Sequence, residues 1–343
     1  MTVLPVLLFI LFLLTDPKTG KTGALNGILL TGKTIIPALF PFTVCVLFFI
    51  NLPLPMFFQE IFTHIGKIFY MTGEEFFIFL LSFTGGYPIG AKLLESSVND
   101  GIISPKKAER MLHACIHSGP AFLVLAVGES LFGSKEIGYL LLFAELLSGI
   151  VLALFVRLEP MRISENHLKK KHFSIPDNFV FSVTEGASAV LKIGAYVVLF
   201  SVITAYGKKT TAIFPVVRYL IPLFEITCGI QETKNIYLIA FLLGFGGLSV
   251  WCQVLSFAKK IPIKPIRFVL FRCFHGILFL AFLKTEIIIF KPNISVFNNF
   301  QINVMKPFYS SVSLFFSLLM TVILLFLFIN GKKEGRNLQN DMI

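Results

Sequence analysis

The first chemistry in this sequence lies where glycines interrupt an apolar run. Within the segment 76–94, Gly85-Gly86-Tyr87-Pro88-Ile89-Gly90-Ala91 leads directly into Lys92. An ammonium beside the start of a half-helix, whose backbone N–H groups also favour negative charge, suits an anionic ligand. The competing role for Lys92 is to snorkel toward the membrane surface or to pair with Glu95. A second glycine pair, Gly246-Gly247 followed by Leu248-Ser249, breaks the apolar segment 236–257. Irregular backbone is tolerated at membrane depth only where it faces protein or a water-filled cavity. The bland alternative is that these glycines merely allow close helix packing.

Ionisable groups inside apolar spans are costly and point to function by default. Glu225, in Phe224-Glu225-Ile226-Thr227-Cys228-Gly229-Ile230, either carries a coupling proton or cation, or faces the headgroups. Glu129 and Glu145 are weaker versions of the same case. Arg272, with His275 at i+3, is either a substrate clamp or an ion-pair partner for one of the glutamates. Lys192 opens its span and is expected to snorkel. Ser118-Gly119-Pro120 reads as a further helix break, adding backbone groups and a hydroxyl to the same cavity.

His113 and His117 stand at i, i+4, the spacing of two ligands on one helical face, with no third ligand evident. Cys115 with His117, and Cys273 with His275, form a C-x-H pair twice, and four such donors close a zinc site in principle. Duplication of an ancestral half explains both pairs without a metal, so neither a metal nor another cofactor is expected. The sequence has no G-x-S-x-G, P-loop or G-x-G-x-x-G pattern. An enzyme and an ATP-driven pump are therefore not expected.

The elements that must position these residues are membrane helices. Hydrophobic residues make up 55% of the 343, charged residues 14%, and the mean hydropathy is +0.82. Too little polar surface remains to cover so much apolar surface in water. A span needs about 20 apolar residues, and the candidates are 34–50, 111–131, 137–156, 185–205, 267–290 and 308–329. To these are added the short segment 3–14, which lacks the basic start and cleavage site of a signal peptide, and the two broken segments. Stretches 51–72 and 211–232 hold Pro53, Pro55, Pro215 and Pro222 and read as interfacial or re-entrant. The net charge of +11 sits in short clusters between spans. With 157–171 in the cytoplasm, 18–33, 100–110, 259–267 and the tail 331–343 fall on the same side, giving about nine crossings and an outside N-terminus. No polar face large enough for nucleic acid remains. The five cysteines read as small buried hydrophobes.

The sequence also resembles itself. Phe79-Leu80-Leu81-Ser82-Phe83-Thr84-Gly85-Gly86 matches Phe241-Leu242-Leu243-Gly244-Phe245-Gly246-Gly247. Arg110 through Cys115-Ile116-His117-Ser118-Gly119 is echoed by Arg267 through Cys273-Phe274-His275-Gly276. The expected architecture is therefore an all-α polytopic membrane domain over 1–343. Repeat 1 spans 26–157, repeat 2 spans 183–285, each has a broken glycine-rich helix, and 308–329 is an additional C-terminal helix. Duplicated halves with discontinuous helices are typical of secondary transporters, whose substrate site lies near the midplane. The nine-crossing count makes the repeats parallel. A change of crossing number in one broken segment would invert them.

Taken together, Gly85-Gly86-Tyr87-Pro88-Ile89-Gly90-Ala91-Lys92, Ala108-Glu109-Arg110, His117-Ser118-Gly119-Pro120, Glu225-Ile226-Thr227-Cys228-Gly229-Ile230 and Phe245-Gly246-Gly247-Leu248-Ser249 with Gln253-Val254-Leu255 resemble the YlbJ (SpoVV) family. The resemblance covers roughly 26–285. It implies a sporulation integral membrane protein with a nucleoside-recognition or gate domain, distantly similar to concentrative nucleoside transporters. It further implies a place in the outer forespore membrane of a bacterium and transport of dipicolinate, a planar aromatic dianion. Lys92, the glycine N–H groups and Ser118 or Ser249 suit its carboxylates, while Tyr87 or the phenylalanines suit its ring. Trp251 and Cys252 depart from the smaller or more polar residues expected there.

The expected substrate-binding set is Gly85, Gly86, Tyr87, Pro88, Gly90, Lys92, Ser118, Gly119, Glu225, Gly246, Gly247, Ser249 and Gln253. The expected partners are a small anionic substrate and the lipid bilayer, together with a second copy of the chain or other sporulation membrane proteins. Nucleic acid is not expected. A nucleoside or nucleobase carrier and a non-transporting sporulation scaffold are the alternatives. The matched helix breaks count against a scaffold, and the lysine beside the first break favours an anion over a nucleoside.

Overall fold

The computed structural model describes residues 3–157, 174–211, 214, 217–233 and 235–291. Every regular element among the described residues is helical. Five helical stretches are long and apolar enough to cross a membrane: Pro17–Ile50, Lys135–Arg157, Ile175–Thr210, Ile236–Phe257 and Pro265–Phe290. With the composition, they make the chain an all-α polytopic membrane protein. The expected C-terminal helix 308–329, the tail, and nearly all of the loop 157–171 lie outside the described residues.

Helix α1 (Val3–Thr15) is followed at once by α2 (Pro17–Leu30), so 18–33 is helix rather than the expected loop. Its start is well determined. Asp16 accepts the Thr19 N–H at 3.2 Å and Pro17 occupies the first turn. The Lys209 ammonium and Thr19 hold the Asp16 carboxyl down at about 2, so the cap stays ionised. The face formed by Gly20, Gly23 and Gly27 is buried, and a Cβ on Gly23 or Gly27 would lie 2.8 or 2.6 Å from the Cα of Val202 or Val198. Glycine thus lets α2 touch the backbone of α9 (Ile175–Thr210), the mode of association that lipid favours. A π-turn, Thr31–Ile35, joins α2 to α3 (Ile36–Ile50), directly before Pro37. The widened turn relieves the clash of the proline ring with the carbonyl four residues back.

The mixed stretch 51–72 holds α4 (Met56–Ile68), too short to cross, and its Phe62 stacks on Phe77. The broken segment is α5 (Gly73–Gly85) and α6 (Ile89–Asn99). A capping box between Thr72 and Glu75 starts α5, and Lys107 ties Glu75 at 2.6 Å to α7 (Pro105–Ala114). The expected span 111–131 is not one helix. α7 stops at Ala114, residues 115–119 are non-helical, and helix resumes at Pro120 and is π-helical over Phe122–Leu131. His113 and His117 therefore do not share a helical face.

Helices α8 (Lys135–Arg157) and α9 cover the expected 137–156 and 185–205. The stretch 211–232 contains two short helices, α10 (Val217–Phe224) and α11 (Ile226–Glu232), parted at Glu225. The second broken segment is α12 (Ile236–Phe245) and α13 (Gly247–Phe257), and α14 (Pro265–Phe290) ends the described chain. α12 packs closely on α14 where glycines face each other: a Cβ on Gly244 would lie 2.7 Å from the Cα of Gly276. Valine at either glycine is expected to separate the two helices and destabilise the protein by about 1–3 kcal/mol. Gly32→Ala, whose Cβ meets nothing within 4 Å, should leave stability unchanged or raised. Thermal unfolding midpoints of the detergent-solubilised variants check both outcomes.

Candidate functional site

Three interruptions of helix meet in the interior. At the first, α5 ends, Gly86 takes φ 69°, and α6 starts after Tyr87 and Pro88. The positive φ needs glycine, and so does the space. A Cβ on Gly86 would lie 3.0 Å from the Gly119 nitrogen, and one on Gly90 would fall on the Cys115 carbonyl oxygen. The 115–119 interruption is therefore laid directly against the start of α6. At the third, Gly246 and Gly247 have φ 88° and 69° between α12 and α13, and the Trp251 indole N–H closes the Phe245 carbonyl at 2.9 Å. Gly247 abuts the α10–α11 junction, its Cβ position 3.3 Å from the Leu223 carbonyl and 3.6 Å from the Ile226 nitrogen.

Two side chains fasten these interruptions together. The buried Tyr87 hydroxyl hydrogen-bonds Ser118 Oγ and the Leu243 carbonyl, and so links the first break to both others. Arg272, fully buried on α14, donates from Nη2 to the His113 carbonyl at 2.8 Å. Its Nη1 donates to the carbonyls of Ile116 at 2.9 Å and Gly244 at 3.4 Å. The His113 and Gly244 carbonyls belong to the ends of α7 and α12, where helical partners run out, and the Ile116 carbonyl to the non-helical stretch after α7. Arg272 is thus a cap for two helix ends, rather than the glutamate's partner that its sequence context allowed.

The glutamate that does reach this junction is Glu145 of α8, with no exposed surface. Its Oε1 accepts the Ser118 N–H at 2.7 Å and lies 3.5 Å from His117 Nδ1. Its Oε2 lies 3.2 Å from His275 Nε2, which also stands 3.1 Å from Ser148 Oγ. His117 and His275 are the histidines of the two C-x-H pairs, and both are fully buried. His117 Nε2 is 2.6 Å from the Ala114 carbonyl, and its ring stacks on Phe83. His113 is separate, 3.3 Å from Glu109 and stacked on Phe271.

The structure therefore gathers Gly85, Gly86, Tyr87, Pro88, Gly90, Ser118 and Gly119 into one junction and ties Gly246 and Gly247 to it through α12. Ser249 and Gln253 are buried on α13, 3.3 Å apart. Glu225 is buried between α10 and α11, beside Gly247. Lys92 goes elsewhere. Its ammonium pairs at 2.6 Å with Glu185 of α9 and lies 5.8 Å over the Phe257 ring, which Lys192 approaches to 5.4 Å. Glu95, the partner weighed for it, instead accepts the Lys260 N–H at 2.9 and 3.1 Å. Glu129 is part-exposed, 3.8 Å from Lys135. Glu185 and the Arg272 caps were missed in the sequence. For Glu145, the available signal was a carboxylate inside an apolar helix.

Removing the Arg272 guanidinium would leave helix-end carbonyls buried with no donor. Arg272→Met is expected to lose about 3–5 kcal/mol, and Arg272→Lys to recover less than half of that, because one ammonium cannot span the fork. Chemical unfolding of the purified variants in mild detergent measures both.

No protein-family model and no solved structure matches the chain. Among curated proteins, the sporulation integral membrane protein YlbJ of Bacillus subtilis (strain 168) is 25% identical over 323 residues. The match takes in 78% of this chain and 79% of the relative. That likeness runs along most of both chains and agrees with the helical membrane architecture, so the chain is similar to a sporulation integral membrane protein over most of its length.

Proposed function

We propose that the chain is a secondary transporter of a small organic anion, with dipicolinate as its substrate and the outer forespore membrane as its location. The observation that carries the proposal is the junction itself: three interruptions of helix meeting at buried donors, Tyr87, Ser118 and Arg272. Discontinuous helices that meet around polar groups are how membrane carriers build a substrate site. The relative's sporulation role supports a spore metabolite as cargo. In this proposal 26–157 and 183–285 are repeats carrying matched breaks at Gly86 and Gly246, within about nine crossings. Lys92, neutralised by Glu185 and lying over Phe257 with Lys192 nearby, forms an outer station for a planar dianion.

The test is uptake of radiolabelled dipicolinate by proteoliposomes holding the full chain, with and without an imposed proton or sodium gradient. Saturable uptake is expected. Tyr87→Phe should lower the maximal rate roughly tenfold or more, as expected for a group that ties the closed junction. Lys92→Ala should raise KM with a smaller effect on the maximal rate. Uptake of nucleosides but not dipicolinate would replace the substrate. Uptake of neither by correctly folded protein would leave a scaffold.

A further inference from the structure

We propose that His117, Glu145 and His275 form a divalent transition-metal site, with zinc the metal of best fit. The site is independent of any transported substrate. One donor atom from each residue lies within 4.8 Å of the other two, and all three residues are fully buried. Tetrahedral zinc with bonds of about 2.0–2.2 Å places neighbouring donors roughly 3.3–3.5 Å apart. Here His117 Nδ1 is 3.5 Å and His275 Nε2 is 3.2 Å from the two oxygens of Glu145.

The hydrogen bonding calls for a positive centre in this place. His117 Nε2 lies 2.6 Å from a carbonyl oxygen, so it is the nitrogen that carries the proton. In a neutral imidazole, Nδ1 then presents a lone pair, and what it faces is a carboxylate oxygen. His117 Nδ1 makes no hydrogen bond, and the Oε1 it faces is engaged only by the Ser118 N–H; Oε2, beside His275 Nε2, makes none either. Two acceptors turned toward each other in a buried pocket repel unless a cation joins them. The surroundings are those of a metal site. The Ala114 carbonyl fixes the His117 tautomer, and the Ser118 N–H orients Glu145. Two histidines and one carboxylate leave a fourth position for water or a small ligand. The ligands come from the 115–119 interruption, α8 and α14, so the metal would pin non-helical backbone of the junction to two long helices.

The experiment uses tag-free full-length protein in detergent, stripped with a chelator and re-equilibrated with Zn2+ or Co2+, with bound metal counted by mass spectrometry. About one metal per chain is expected, with visible Co2+ absorption of tetrahedral type. Glu145→Gln and His275→Gln, which keep volume and polarity, should weaken binding by roughly a hundredfold or more while eluting as folded protein. Zn2+ should raise the unfolding midpoint of the wild type and not of the variants. Stripped wild type that takes up no stoichiometric metal, or variants that bind it as tightly, would overturn the site. The first result would leave an imidazolium–carboxylate pair in its place.

Discussion

A helix that stops inside a membrane leaves carbonyls that neither lipid nor water will satisfy, and that constraint governs this protein. Arg272 answers it for two helices at once, through the carbonyls of His113, Ile116 and Gly244. A fork of five donors suits this task, since a lysine or an amide reaches fewer oxygens from one position. The cation also sits where the oxygen ends of the α7 and α12 backbone dipoles gather, so those partial negative charges compensate a charge that burial alone would make very costly. α14 becomes the element on which both interrupted regions depend.

The arginine can serve only because the backbones approach so closely, and glycine makes that approach. Gly90 lies under the Cys115 carbonyl, Gly86 against Gly119, and Gly244 against Gly276. The packing role weighed for glycine and the site role are therefore one arrangement. Close packing brings the interrupted ends within reach of Arg272 and Tyr87. The same principle operates away from the junction, where Gly23 and Gly27 let α2 lie on the α9 backbone.

Much of this was legible in the sequence, for physical reasons. Spans 137–156, 236–257 and 267–290 stand out because lipid exposure demands long apolar runs, and the breaks at Gly86, Gly246 and Ser118-Gly119-Pro120 stand out because glycine and proline disturb them. The segment 18–33 misled because its lysines and glycines look like a loop. Its buried glycine face has meaning only against α9. The partners of Lys92 and Arg272 were not legible. Glu185 lies 93 residues from Lys92, and backbone carbonyls carry no sequence signature at all. His117, Glu145 and His275 were each visible as polar residues in apolar surroundings, but only the fold sets one carboxylate between two histidines.

The junction as it stands is closed. Tyr87 spends its hydroxyl on Leu243 and Ser118, and Arg272 spends its two Nη groups on the carbonyls of His113, Ile116 and Gly244. A carboxylate is a stronger acceptor than a backbone carbonyl, and bonds to it are shorter and roughly twice as strong. An anion that reached this junction would therefore compete for the donors that hold the interrupted helices together. Each bond it took from Leu243, Gly244 or Ile116 would loosen one half of the molecule from the other. Ligand binding and opening would then be the same exchange of hydrogen bonds, with the anion's preference for the loosened state setting how far the equilibrium moves. A neutral ligand lacks that advantage over the carbonyls, which is a physical reason for the transport reading to favour an anion.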